Sequence, residues 1–223
     1  MRTTLVVSAT LLIAASLSWQ ATASTFTFGF VGAGVSGTVE LTYGVATDAK
    51  YPQAFEVTGI SGLFSDSNNG LNIVNAPIGT LEPIKYDTPE SSNLLAPNDF
   101  SRFAVTDGLP AQNNGFLTYD NLFYPGGSPQ TASDYPLHGG FLDIYGLLFD
   151  IGGGRVVDLW SNGTFSGIGP FDYGVAVATP DASLDYVSGG VTVSPEPSAL
   201  VLLGSGLIGM LAWRRRAACQ RQL

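Results

Sequence analysis

Phe26, Phe28 and Phe30 alternate with Thr25, Thr27 and Gly29, so the three rings share one face, as a half-buried strand requires. Thr38 to Tyr43 repeats the pattern, with Val39, Leu41 and Tyr43 inward and Thr38, Glu40 and Thr42 outward. Gly32-Ala33-Gly34 between them reads as a turn, so the two runs form a hairpin. Ala54 to Phe64 is a third strand, with a bulge at Gly59 where the apolar phase shifts between Val57 and Ile60. Ser65 to Gly70 is a turn, and Leu71 to Val74 begins another strand. Residues 84–97, with Pro89 and Pro97, read as a long loop. Later strands are expected at Phe116 to Phe123, Gly140 to Ile151, Arg155 to Trp160, Tyr173 to Ala178 and Tyr186 to Val193. No stretch of this region keeps a 3.6-residue apolar period. The pattern predicts an all-β, antiparallel β-sandwich, jelly-roll-like, over residues 24–194.

Two uncharged apolar runs flank that region. At the N-terminus Arg2 precedes an apolar core from Leu5 to Leu17. Ala21-Thr22-Ala23 then supplies the small residues that signal peptidase accepts, so residues 1–23 read as a signal helix cut between Ala23 and Ser24. At the other end Ser198 to Trp213 holds 16 uncharged residues. As a helix this run spans about 24 Å against a hydrocarbon core of about 30 Å. Gly204, Gly206 and Gly209 weaken it further. Arg214, Arg215 and Arg216 follow as a stop-transfer cluster that stays cytoplasmic, leaving the β region on the outer side.

Composition adds constraints. Glycine accounts for 28 of 223 residues and charged residues for only 12 %, a profile unlike a helical bundle. Between Ser24 and Ser194 four cations (Lys50, Lys85, Arg102, Arg155) stand against 17 acidic residues, a net of −13. Such a surface repels nucleic acid. The single cysteine, Cys219, lies beyond the C-terminal apolar run, so the β region has neither a disulfide nor a thiolate metal site.

Candidate chemistry is sparse. His138 is the only histidine and sits among loop-forming residues, with no Gly-x-Ser-x-Gly elbow to partner it. Asp143, Asp150 and Asp158 lie among aromatics and are the candidates for a glycosidase pair. Asp66 and Asn68 offer hard oxygens at alternate positions, as calcium loops do, but Pro77 stands where the twelfth-position glutamate belongs. An Asx-rich hairpin turn explains the same letters, so no cofactor is assigned beyond this calcium candidate. Tyr119, Phe123, Tyr124, Tyr135, Phe141, Tyr145 and Trp160 make either a sugar-stacking platform or an aromatic core.

Pro195-Glu196-Pro197, the short glycine-bearing apolar run and the arginine cluster stand in fixed order at the extreme C-terminus. This tripartite tail (195–223) resembles the PEP-CTERM sorting signal. The resemblance implies processing by an exosortase near Pro195-Glu196-Pro197, in a Gram-negative bacterium. It also implies passage through the inner membrane to the cell surface or extracellular matrix. The stretches YDNLFYP, LLFDIGGGRVVDLWSNG and VTVSPEP are similar to β-rich domains common in such proteins, a likeness that brings no activity with it. The leading expectation is a non-enzymatic structural or adhesive protein associated with exopolysaccharide or biofilm. A carbohydrate-binding, lectin-like module is the second and an exported hydrolase the third. The second requires the aromatics to be exposed, and the third requires two carboxylates converging in a cleft.

Overall fold

The computed structural model describes residues 23–47, 52–83, 104–111, 115–132 and 135–196. Ala21, the apolar run at 198–213 and the arginine cluster lie outside the described residues, as does the loop expected at 84–97.

The described strands are β1 (Ser24–Gly32), β2 (Val35–Thr47), β3 (Phe55–Asp66), β4 (Ile73–Ile78), β5 (Ala104–Pro110), β6 (Phe116–Tyr119), β7 (Leu122–Phe123), β8 (Gln130–Ala132), β9 (Tyr135–His138), β10 (Leu147–Asp150), β11 (Val156–Ser161), β12 (Tyr173–Thr179) and β13 (Ala182–Pro195). One antiparallel sheet runs β10-β11-β12-β13-β1-β2-β3-β4, with β7 added against β3. Its outer strands then approach each other. The Gly79 N–H donates to the Asp150 carbonyl at 2.8 Å, the Asp150 N–H to that of Thr80 at 2.9 Å, and the Glu82 N–H to that of Leu148 at 2.9 Å. Eight strands thereby curl into a nearly closed barrel, a size whose interior side chains just fill.

The all-β expectation holds, but the jelly-roll-like sandwich is not what the topology gives. A jelly roll needs strands that cross between two sheets. Here two four-stranded meanders, β1–β4 and β10–β13, run in sequence order around one sheet. The last strand closes on the first, with Phe28 opposite Pro195 and Val31 opposite Thr192. Short turns such as Ala33-Gly34 and Gly152–Gly154 leave neighbouring strands no geometry but a hairpin.

Inward residues of every barrel strand meet in one core, including Phe28, Phe30, Val39, Leu41, Phe64, Phe149, Val157, Leu159, Val175 and Val177. A second cluster lies on the outer face of β10–β12. There Leu117 and Tyr119 of the β5–β6 hairpin cover Leu148, Val156, Trp160, Ala176 and Ala178. Strand β11 is therefore buried on both faces.

Local expectations fare unevenly. The β1–β2 hairpin forms as read, and the register slip opposite Thr42 and Tyr43 places an irregularity beside Gly59. The strand expected over Phe116–Phe123 breaks at Asp120 and Asn121, where Asn121 takes a φ of +52°. Its amide bridges the barrel seam instead: Oδ1 accepts the Leu148 N–H at 3.0 Å and Nδ2 donates to the Glu82 carbonyl at 2.9 Å. The strand expected over Gly140–Ile151 shortens to β10. Asp143 Oδ1 accepts the N–H groups of Tyr145 and Gly146 (2.9 and 3.1 Å), which fixes a turn before it.

Candidate functional site

The final strand sets the position of the Pro-Glu-Pro segment. Pro195 is the last rung of β13, opposite Phe28, and the Glu196 N–H donates to the Thr27 carbonyl at 3.0 Å. Proline has no N–H to contribute to a ladder, so it is tolerated at such a strand end. The segment therefore begins while still attached to β1, and β13 runs two residues past the strand end expected at Val193.

This exit lies at one end of the barrel, where β1 and β3 begin and β13 finishes. Aromatic rings fill that end. Phe123 lies 4.7 Å from Phe26 and 4.8 Å from Tyr43 between ring centroids, and Phe141 lies 4.9 Å from Phe28 and 5.8 Å from Tyr173. Beside Pro195 a groove of about 380 Å³ opens, lined by Phe141, Pro170, Phe171, Tyr173 and Val193 among others. One wall is the loop from β11 to β12. Its base is clamped: the Asn162 N–H donates to the Asp172 carbonyl at 2.8 Å, and Asp172 Oδ1 accepts the Gly190 N–H at 2.7 Å. Thr164 exchanges two backbone hydrogen bonds with His138 (2.7 and 2.9 Å). At the tip, Phe165 and Ile168 are 79 % and 75 % exposed.

The opposite end is closed by polar groups. Asp66 is an inward residue of β3, facing Val35 and Ile73 across its two neighbours, and is 1 % exposed. Its Oδ1 accepts the Asn68 N–H at 2.7 Å, while Oδ2 has no hydrogen-bond donor. Asp185 of β13 lies beside it and accepts from Asn69 Nδ2 and Asn68 Nδ2, both at 2.9 Å. Asn68 Nδ2 also reaches the Ala33 carbonyl at 2.8 Å. Burial first, and the Asp185 charge after it, push the Asp66 carboxyl up to about 6, against a partly offsetting hydrogen bond from Asn68. Asp185 accepts two amide hydrogen bonds while Asp66 Oδ2 accepts none, so burial favours the protonated form of the Asp66 carboxyl. The calcium candidate Asp66 and Asn68 are thus brought together, but Asn68 turns an N–H donor rather than an oxygen toward the acidic pair.

The other candidates are dispersed into structure. Tyr119, Phe123, Tyr124, Tyr145 and Trp160 are buried and Phe141 is half-buried among aromatic neighbours; the side chain of Tyr135 lies outside the described residues. These rings are core, not a stacking platform. Asp143 and Asp158 are both buried rather than set in a cleft. Asp143 Oδ2 accepts the Tyr124 hydroxyl at 3.1 Å. Asp158 points to the outer face of β11, where burial, and then the Asp143 charge, raise its carboxyl well above the usual range. Asp150 caps the Gly152 turn through Oδ1 at 2.9 Å. His138 belongs to β9 rather than to an open loop.

Asp185, Phe165 and Ile168 escaped the sequence reading. Asp185 lies one residue before the strand expected at Tyr186 to Val193, although it shares the inward parity of Val187, Val191 and Val193. Phe165 and Ile168 look like ordinary apolar residues until their loop is placed.

Residues 195–216 match the family description PEP-CTERM protein-sorting motif. No curated protein and no solved structure matches the chain. The motif implies export, processing by an exosortase and sorting to the cell surface of a bacterium.

Proposed function

We propose that the chain is a non-enzymatic component of a Gram-negative cell surface or extracellular matrix, structural or adhesive in role and associated with exopolysaccharide. The observation that carries this reading is the sorting motif at residues 195–216, continuous with the last barrel strand. The β barrel is the cargo and the tail is its address. Signal peptidase would release Ser24, the first residue of β1, so that processing leaves the barrel intact. Exosortase, a membrane enzyme, then acts near Pro195-Glu196-Pro197 after transit of the inner membrane.

The core argues against the two alternatives in the forms considered. A lectin-like module built on the candidate aromatics would need exposed rings, whereas Tyr119, Phe123, Tyr124, Tyr145 and Trp160 are buried. A hydrolase built on Asp143, Asp150 and Asp158 would need free carboxylates, yet Asp143 and Asp150 hold turns together.

The test is Glu196→Ala in the producing bacterium, following the mass and location of the protein. Accumulation of the unprocessed form in the membrane is expected. Normal mass and normal release would sink the sorting assignment. Binding of the released protein to the host's own exopolysaccharide, against an unrelated polysaccharide, tests the matrix role separately.

A further inference from the structure

We propose that the aromatic end of the barrel rests on the lipid surface from which the tail departs, with Phe165 and Ile168 inserted at the headgroup boundary. The proposal rests on the reading that Ser198–Trp213 is held in the bilayer before processing.

Chain length carries the first part. Glu196 is fixed to β1 through the Thr27 carbonyl. Only Pro197 separates it from the uncharged run that begins at Ser198. Two residue steps reach at most about 7 Å. The barrel therefore has no tether on which to float away, and the end carrying Pro195 must face the bilayer.

The surface chemistry carries the second part. The loop beside Pro195 shares the groove with it through Gly167, Pro170 and Phe171. From Gly163 to Phe171 it has no charged residue, in a body that is otherwise strongly acidic. Its tip presents the two most exposed large hydrophobics of the described residues, Phe165 and Ile168. Its base is held by Asn162, Asp172 and the Thr164–His138 pair, so the tip is presented without prior ordering of the loop. An uncharged apolar tip on a rigid base suits a lipid boundary, where aromatic and aliphatic side chains enter about 5–10 Å.

Val74 supplies an internal control. It is apolar and 69 % exposed, but lies on β4 beside the opposite, polar end. The experiment uses the full chain, tail included, in phosphatidylethanolamine–phosphatidylglycerol vesicles. Phe165→Cys, Ile168→Cys and Val74→Cys, each with Cys219→Ser, carry an environment-sensitive fluorophore. With lipids brominated near the headgroup, labels at 165 and 168 should lose more than half of their emission, and the label at 74 almost none. Equal responses at 165 and 74 in floated vesicles overturn the proposal alone. Failure of the chain to float with the vesicles overturns it together with the reading of Ser198–Trp213. Changes at 165 that follow protein density but not bromination would point to a second copy, and also overturn it. Amide exchange of the unsubstituted chain provides the check against labelling damage: residues 163–171 should exchange more slowly in vesicles than after removal of the tail, with 73–78 unchanged.

Discussion

At one end of the barrel Asp66, Asp185, Asn68 and Asn69 seal the interior with directional hydrogen bonds. At the other, Phe26, Phe28, Tyr43, Phe123, Phe141 and Tyr173 seal it chiefly by ring packing. The same eight strands run between the two. The difference is set by what each end has to do. The polar end carries tight turns, whose backbone groups must all find partners. The aromatic end receives the longer connections and the departing tail, and large rings fill irregular space without demanding a fixed partner.

The largest test of this contrast is Phe123→Ala. The ring is fully buried and touches Phe26 and Tyr43, so its loss should cost about 3–5 kcal/mol in urea unfolding. A loss below that of an exposed substitution would show that the aromatic end does not hold the barrel shut.

Next is Asp66→Asn. The Asp66 carboxyl is raised from 3.8 to about 6 in the folded protein. Its contribution to stability is therefore full below about pH 4 and is lost as pH rises through about 6, on the order of 1–3 kcal/mol. The amide variant keeps an acceptor for Asn68 and gains a permanent donor for Asp185. It should flatten the urea midpoint between about pH 4 and 7 and stand above the unsubstituted protein at pH 7. An unchanged pH profile would show that the Asp66 carboxyl is not raised in the folded protein. Substitutions at the aromatic end should leave that profile's shape alone.

Asn69→Ala has a smaller expected effect. It removes donors to Asp185 and to the Leu184 carbonyl, and should cost about 1 kcal/mol. It should also raise the Asp66 carboxyl further, because Asp185 becomes a hungrier acceptor; titration by NMR reads this directly. Smallest is Phe165→Ser with Ile168→Ser, which should stay within about 0.5 kcal/mol of the parent. A larger loss would mean that the loop tip is part of the core.

Much of the barrel's first half was legible from residue alternation, because β1 and β2 each bury one face and leave the other to water. Strand β11 shows the opposite case. The strand itself was expected at Arg155 to Trp160, but, buried on both faces, it offers no alternation to show which side faces the core, and its position under the β5–β6 hairpin depends on contacts distant in sequence. Closure was equally invisible. It depends on Gly79–Glu82 reaching β10 and on the Asn121 amide at the seam, features that no local pattern encodes. The sorting motif was legible because it is a linear signal. The acidic pair was half legible: Asp66 stands in a conspicuous turn, while Asp185 lies just before the strand expected at Tyr186 and meets Asp66 only through contacts distant in sequence.

The pairing of β13 with β1 also governs timing. A chain threaded outward from its N-terminus exposes β1 early, yet one side of that strand must wait until residues 192–195 have followed. Pairing β13 with β1 joins the first and last strands of the described chain across nearly its whole length, the slowest kind of contact to make. The residues that complete the fold are the ones immediately before the tail, so maturation of the barrel and arrival of its processing point coincide. A cut before Pro195 would remove the end of the strand that pairs with β1, so the fold itself limits how far into the chain the processing enzyme can reach.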